Sequence, residues 1–326
     1  MTTRRNALMA LGAAFAANSI PVRAQTPHEL PRLGVLHPAS VEDSAVYKAL
    51  ISGLSERGYV EGKTIALDLR SGNGKPDALP MLLSELVRSK VDVLLVVGPA
   101  AVRAAFAATR TIPIVAIDLE SDPVKNGWMG SLSRPGGNIT GFFLDLTGMG
   151  AKWLQLLREA APGARNICLL WDTASGGAQL AATKAMASAF SIEVQTVSIE
   201  NWSDFDAAVN AAVRAHAQAF VVLSSPTAFQ YSARFADFTN HNRIPAISPF
   251  RPFAVAGGLM SYGPDLDLFF RRTAFTIDRI LKGAKPADVP AEQPTKYELV
   301  INQKAARLLG LTIPPSLLLR ADEVIQ

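Results

Sequence analysis

The sequence predicts an α/β protein of two lobes, each built on a parallel sheet, with the chain crossing between them three times. Three observations carry that expectation. Short apolar runs alternate with segments of helical hydrophobic spacing, the pattern of parallel strands joined by covering helices. The alternation runs through four strands before residue 120 and begins again after residue 150. Segments dense in Gly and Pro fit neither pattern and mark places where the chain turns away. The second half repeats the architecture of the first without a residue-level repeat.

In the first half, RLGVLHP at 32–38 is a Leu- and Val-rich strand running into a loop through Ser40. Residues 44–57 have helical spacing, TIALDLRSG at 64–72 alternates as a strand, and 77–89 is helical through Leu79, Leu82, Leu83 and Leu86. VDVLLVVG at 91–98 is continuously apolar, as in a strand covered on both faces. A helix over 100–108 and the strand IPIVAI at 112–117 follow. Residues 121–141, SDPVKNGWMGSLSRPGGNITG, read as a crossing.

In the second half, helix 150–161 leads to strand ARNICLLWD at 164–172, helix 176–190, strand IEVQTVSI at 192–199 and helix 203–216. Strand AQAFVVLSS at 217–225, helix 228–241 and strand IPAISPF at 244–250 complete the second set. AGGLMSYGP at 256–264 reads as another Gly-rich crossing before an amphipathic helix at 265–283. KGAKPADVPAEQP at 282–294 is a Pro-rich connection, and KYELVINQ at 296–303 a late strand.

The first 24 residues, MTTRRNALMALGAAFAANSIPVRA, have the features of an export tag. Arg4 and Arg5 form a positive start, residues 7–17 are apolar or small, and Val22-Arg23-Ala24 is a cleavage site of the small-x-small type. The apolar run is shorter than the roughly 20 residues that span a bilayer. The expectation is cleavage after Ala24 and release into the periplasm, with the paired arginines pointing to the twin-arginine route. Removing Arg4, Arg5 and Arg23 with the tag lowers the net charge from +4 to +1, so the remaining chain has no basic excess to favour nucleic acid. About 300 remaining residues fit two domains of ordinary size. The single cysteine, Cys168, reads as a small buried hydrophobe on a strand.

Catalytic and cofactor motifs are missing. There is no G-x-G-x-x-G after the first strand, no P-loop and no G-x-S-x-G elbow. The histidines, His28, His37, His216 and His241, lack metal-ligand spacing. No cofactor and no metal is therefore expected. His37 follows the first strand, a position that can line a cleft. What recurs is strand, proline, helix: Val97-Gly98-Pro99-Ala100 and Ser224-Ser225-Pro226-Thr227. Amides just beyond such a proline open a helix at the carboxyl end of a parallel strand, where α/β sheets bind ligands and where an anion is favoured.

Several long segments resemble the ABC transporter substrate-binding protein family that includes tryptophan- and phenylalanine-binding members. They are GLSERGYVEGKTIALDLR, SDPVKNGWMGSLSRPGGNITG, AGGLMSYGPDLDLFFRRTAFTIDRILKGAKPADVP and QPTKYELVINQKAARLLGLTIPPSLLLRADEVI. The resemblance implies a type 1 periplasmic binding protein fold of two Rossmann-like lobes. It places 26–120 with 258–284 in one lobe and 145–250 with 286–326 in the other, with crossings at 121–144, 251–257 and around 285. The ligand is then expected at Ser40, Gly98, Ala100, Asp118, Ser121, Asp172, Ser225 and Phe250, with Tyr262 closing the cleft from a crossing. Asp172 would meet a ligand ammonium, the Gly98–Ala100 amides its carboxylate, and Phe250 or Trp171 an apolar side chain, although Trp171 suits the core equally.

The implied function is a monomeric, non-enzymatic periplasmic receptor. It would capture a small molecule, with amino acids or related small carboxylates favoured, by hinge closure and deliver it to the permease and ATPase subunits of an ABC importer. A sensory receptor feeding a membrane kinase is the alternative. An exported hydrolase using Ser225 or Ser248 would need a base near the serine, and no histidine follows a strand near either.

Overall fold

The computed structural model describes residues 30–40, 44–144, 146–190, 192–294 and 296–326. The expected export tag at 1–24 lies outside them. From Pro31 to Gln326 the chain forms one compact unit containing two sheets.

The first sheet has the order β2-β1-β3-β4-β5 and is parallel throughout. Its elements follow the chain as β1 (Arg32–His37), α1 (Ala45–Ser55), β2 (Ala66–Ser71), α2 (Leu79–Arg88), β3 (Val93–Val97), α3 (Gly98–Ala108), β4 (Ile114–Asp118) and β5 (Ile139–Phe143). Every residue of β3 is buried, as its continuous apolar run requires. Val93, Leu95 and Val97 pack into one hydrophobic cluster with α1, while Leu94 and Val96 pack into another with α2 and α3. The alternation of side chains along a strand thus feeds two cores, one on each face.

The second sheet has the order β12-β11-β10-β9-β8-β6-β7. Here α4 (Gly150–Ala160) leads into β6 (Asn166–Asp172), α5 (Ala178–Ala189), β7 (Glu193–Ile199), α6 (Phe205–Arg214) and β8 (Ala219–Val222). The short α7 (Pro226–Gln230), α8 (Ser232–His241), β9 (Ala246–Ser248), α9 (Arg251–Val255) and β10 (Met260–Pro264) follow. After α10 (Leu266–Leu281) the chain adds β11 (Tyr297–Asn302), α11 (Gln303–Leu308), α12 (Pro315–Leu318) and β12 (Glu323–Ile325). Only the β10–β11 pair is antiparallel. Trp153, Phe205, Phe220 and Phe253 are fully buried in this lobe. Cys168 is buried on β6 as a small hydrophobe, and burial pushes its thiol up to about 12.

This is the two-lobed α/β architecture expected, but the crossings fall elsewhere. ITGFF at 139–143, read as part of a crossing, is the fifth strand of the first sheet. It was hidden because Gly141 sits among turn-forming residues. That glycine has φ 132°, and a Cβ there would lie 2.1 Å from the Ala116 carbonyl oxygen, so only glycine lets β5 pair this closely with β4. Likewise MSYGP, read as a Gly-rich crossing belonging to the first lobe, is β10 of the second sheet, paired with β9 and β11.

The chain leaves the second sheet only at Asp265, whose side chain caps α10 by accepting from the Leu268 amide at 3.0 Å. Helix α10 then buries Phe270, Ala274 and Ile277 against the first lobe. Residues 286–292, assigned to the second lobe by resemblance, stay on the first. Thr140 donates to the Val289 carbonyl at 2.7 Å, and Glu292 bridges β5 through the Phe142 position. The third crossing comes after Glu292, before β11.

Candidate functional site: a cleft between opposing strand tips

The carboxyl ends of β1, β3 and β4 face those of β6 and β8, and the two sets of tips are in contact. Ser224 Oγ, just past β8, donates to Glu120 Oε1, just past β4, at 2.5 Å. Arg103 on α3 donates to the Ala174 carbonyl at 2.9 Å. The Ser40 amide donates to Gln230 Oε1 at 3.2 Å. Closest of all is Gly98, which has φ 78°: a Cβ built on it would lie 2.5 Å from Cγ of Pro226. The two strand–proline–helix turns singled out by sequence thus meet each other across the cleft.

Two of the gaps between the lobes are lined by the strand tips. The inner gap encloses about 360 Å³ between atoms, counting its open mouth. Val97, Ile117 and Phe270 line it from the first lobe, and Phe229 and Phe250, edge to face at 5.3 Å, from the second. Its polar lining is limited to His37, Glu120 and Ser225. The outer gap lies between Gly74, Gly98 and Ala100 on one side and Asp172, Trp202 and Thr227 on the other.

Three carboxyl groups sit at these tips. Asp172 is held on all sides: Oδ1 accepts from the Ala174 amide at 3.0 Å and Oδ2 from Trp202 Nε1 at 3.0 Å, and Ser225 and Thr227 also hydrogen-bond to it. Burial raises its pKa and these bonds oppose the rise. Asp118 is fully buried, with Oδ1 accepting from the Glu120 amide at 2.9 Å and Ser121 bonding to the same carboxyl. Burial pushes its pKa up against those bonds and the Arg103 charge. Glu120 is 5 % exposed, and burial first, then the neighbouring Asp118 charge, hold its carboxyl well above the usual range. Asp118 Oδ2 and Glu120 Oε2 have no donor among the described residues.

The expected residues distribute unevenly. Ser225 and Phe250 line the inner gap, and Gly98, Ala100 and Asp172 the outer one. Asp118 and Ser121 are buried behind Glu120, lining neither gap. Ser40 is exposed at the rim. Ser225 also caps α7, its Oγ accepting from the Ala228 amide at 2.9 Å. Tyr262 is on β10 with its ring stacked 5.9 Å from Tyr297, and lines neither gap. Trp171 packs on the second-lobe core and donates to the Gly176 carbonyl. Glu120, Phe229, Phe270 and Trp202 are among the cleft residues that sequence reading did not single out. Among the described residues no group of three or more His, Cys, Asp or Glu is placed to hold a metal, and no helix is long and apolar enough to cross a membrane.

Two α/β lobes with opposed strand tips and a cleft between them form the type 1 periplasmic binding protein fold. The chain belongs to the ABC transporter substrate binding protein family, which it matches over residues 34–325. It is 25% identical over 271 residues to a tyrosine-binding protein of Clostridioides difficile (strain R20291), covering 81% of this chain and 76% of that one. It superimposes with a TM-score of 0.80 and 25% identity on an ABC domain in complex with L-Trp from Streptococcus pneumonia, over 91% of this chain and 100% of that one. Against the ligand-free, open structure of a substrate binding protein from Clostridium difficile, at 22% identity and the same coverage of 91% and 100%, the TM-score is 0.58.

Proposed function

We propose that this protein captures an amino acid with an apolar side chain, or a related small carboxylate, between its lobes in the periplasm. It delivers the molecule to the permease of an ABC importer and changes nothing covalently. The observation that carries this reading is the inner gap, walled by aromatic and aliphatic side chains from both lobes around a single carboxyl group. A ligand seated there touches both lobes only when they are shut, so its differential affinity shifts the population toward the closed form. The greater likeness to the L-Trp complex than to the open, ligand-free relative supports reading the present arrangement as the closed one. The relatives' ligands, tyrosine and L-Trp, support the amino acid class.

Delivery and location rest on family membership and on the export tag expected from residues 1–24. A thermal-unfolding screen of the protein from Gln25 onward, with amino acids, small carboxylates, sugars and nucleosides, tests the ligand class. A ligand at 100 times its Kd adds about 2.7 kcal/mol of stability. Aromatic or branched amino acids should raise Tm, and a shift from sugars or nucleosides alone would refute the reading.

A further inference from the structure

Glu120 is a strange residue to place in a wall of apolar side chains. It is 5 % exposed and lines the inner gap. The Ser224 hydroxyl from the other lobe donates to its Oε1 and the Leu119 backbone also hydrogen-bonds to the carboxyl, but its Oε2 has no donor among the described residues. The free Oε2 is matched by a second free oxygen, Asp118 Oδ2, and the two carboxyl groups lie within hydrogen-bonding reach of each other. Two buried carboxylates so placed repel unless a proton or another cation comes between them. The other ionisable groups facing them are few. Arg103 on α3 acts on Asp118, and His37 at the end of β1 lines the same gap. From the second lobe, the Ser224 hydroxyl reaches Glu120, Ser225 lines the same gap, and the Ser224 amide donates to Gln179 Oε1 at 2.6 Å. Asp172, by contrast, has donors on both oxygens, so a ligand ammonium would have to displace bonds to reach it.

We propose that Glu120, not Asp172, receives the ammonium group of the ligand, and that binding expels the proton Glu120 shares with Asp118. The inference rests on the amino acid reading above and assigns the recognising residue within it. Without ligand, one proton joins the pair. When a zwitterionic amino acid enters, its –NH₃⁺ takes the place of that proton beside Oε2 and keeps all three of its own hydrogens. The displaced proton leaves to the buffer, so one positive charge replaces another. The apolar walls then select the side chain, and the carboxyl pair selects for an amine over a plain acid of the same shape.

Calorimetric titration of L-tyrosine, L-tryptophan and L-phenylalanine into the protein, in two buffers of different ionisation enthalpy, counts the protons released. Up to one proton released per ligand near neutral pH is the expected result, and it is read on the unmodified protein. Glu120→Gln should weaken amino acid binding about 10- to 100-fold, the range for losing a charged hydrogen bond. It should also abolish the proton release. 3-Phenylpropanoate, which lacks the amine, should bind the unmodified protein far more weakly than L-phenylalanine and gain from Glu120→Gln. Amino acids that bind without releasing a proton, and equally well to Glu120→Gln, would overturn the role of Glu120 and leave the amino acid reading standing. A protein that binds none of the three amino acids but does bind another class would overturn both.

Discussion

Glu120 and Asp172 are carboxyl groups of equal exposure, 5 % each, with opposite surroundings. Asp172 has donors on both oxygens and ties the Trp202 indole to the turn at Ala174. Asp172→Ala would take the acceptor from the buried Trp202 indole and from the half-buried Ala174 amide, at about 1–3 kcal/mol for each donor left unsatisfied. Urea unfolding should show a loss of about 2–6 kcal/mol if both penalties apply in full and add. Glu120 makes the reverse prediction. Its folded pKa is raised well above the 4.5 of an ordinary glutamate, so above that pH the folded chain holds the proton more tightly than the unfolded chain. Stability is then undiminished below about pH 4.5 and falls as pH climbs through the folded value. Ligand-free Glu120→Gln should lose that slope and be more stable than the parent at alkaline pH, as seen in Tm measured from pH 4 to 9. Sequence alone hid this contrast. Asp172 ends an evident strand and invites a ligand role, whereas Glu120 stands beside the turn-like run at 121–141, and its cross-lobe partner Ser224 is 104 residues away.

At the scale of elements, strands with continuous apolar runs and helices with a clear face were legible because their burial demands are written in consecutive residues. β3 and α10 are of this kind. β5 and β10 were not, since each carries a glycine that local rules assign to turns. Gly141 is required by close pairing with β4, and at Gly263 a Cβ would lie 1.9 Å from the Pro249 carbonyl oxygen. Long-range packing, which local pattern does not show, makes them strands. The same holds for α10, whose face was readable but whose docking site was not. It lies on α1, where a Cβ on Gly53 would come within 2.4 Å of the Arg271 carbonyl oxygen. Phe270→Ala, which empties a buried position shared by this contact and the inner gap, should cost about 3–5 kcal/mol in denaturant unfolding. Gly98→Ala acts on closure instead. The added methyl would meet the Pro226 ring of the other lobe, so binding should weaken at least tenfold by titration. A modest strain at positive φ would also appear as a small loss of Tm.

Across the whole molecule, the crossings after β5, after β10 and after Glu292 are where the lobes are joined, and the other contacts described across the cleft are few. The Glu120–Ser224, Arg103–Ala174 and Ser40–Gln230 bonds all depend on the lobes being shut. On the proposed function, the two lobes open by rotating about their connecting segments with each core intact. On the proposed function, the closed form gains when a ligand fills the inner gap and its ammonium takes the place of the proton on the carboxyl pair. Without one, apolar walls that cannot pack fully against each other weaken closure.

Small-angle X-ray scattering of the protein from Gln25 onward, alone and with saturating L-tyrosine or L-tryptophan, tests this account most directly. The account predicts a larger radius of gyration without ligand and a decrease on binding to the value calculated from the closed structure. Saturating binding of either amino acid with an unchanged scattering curve from an open form would contradict it.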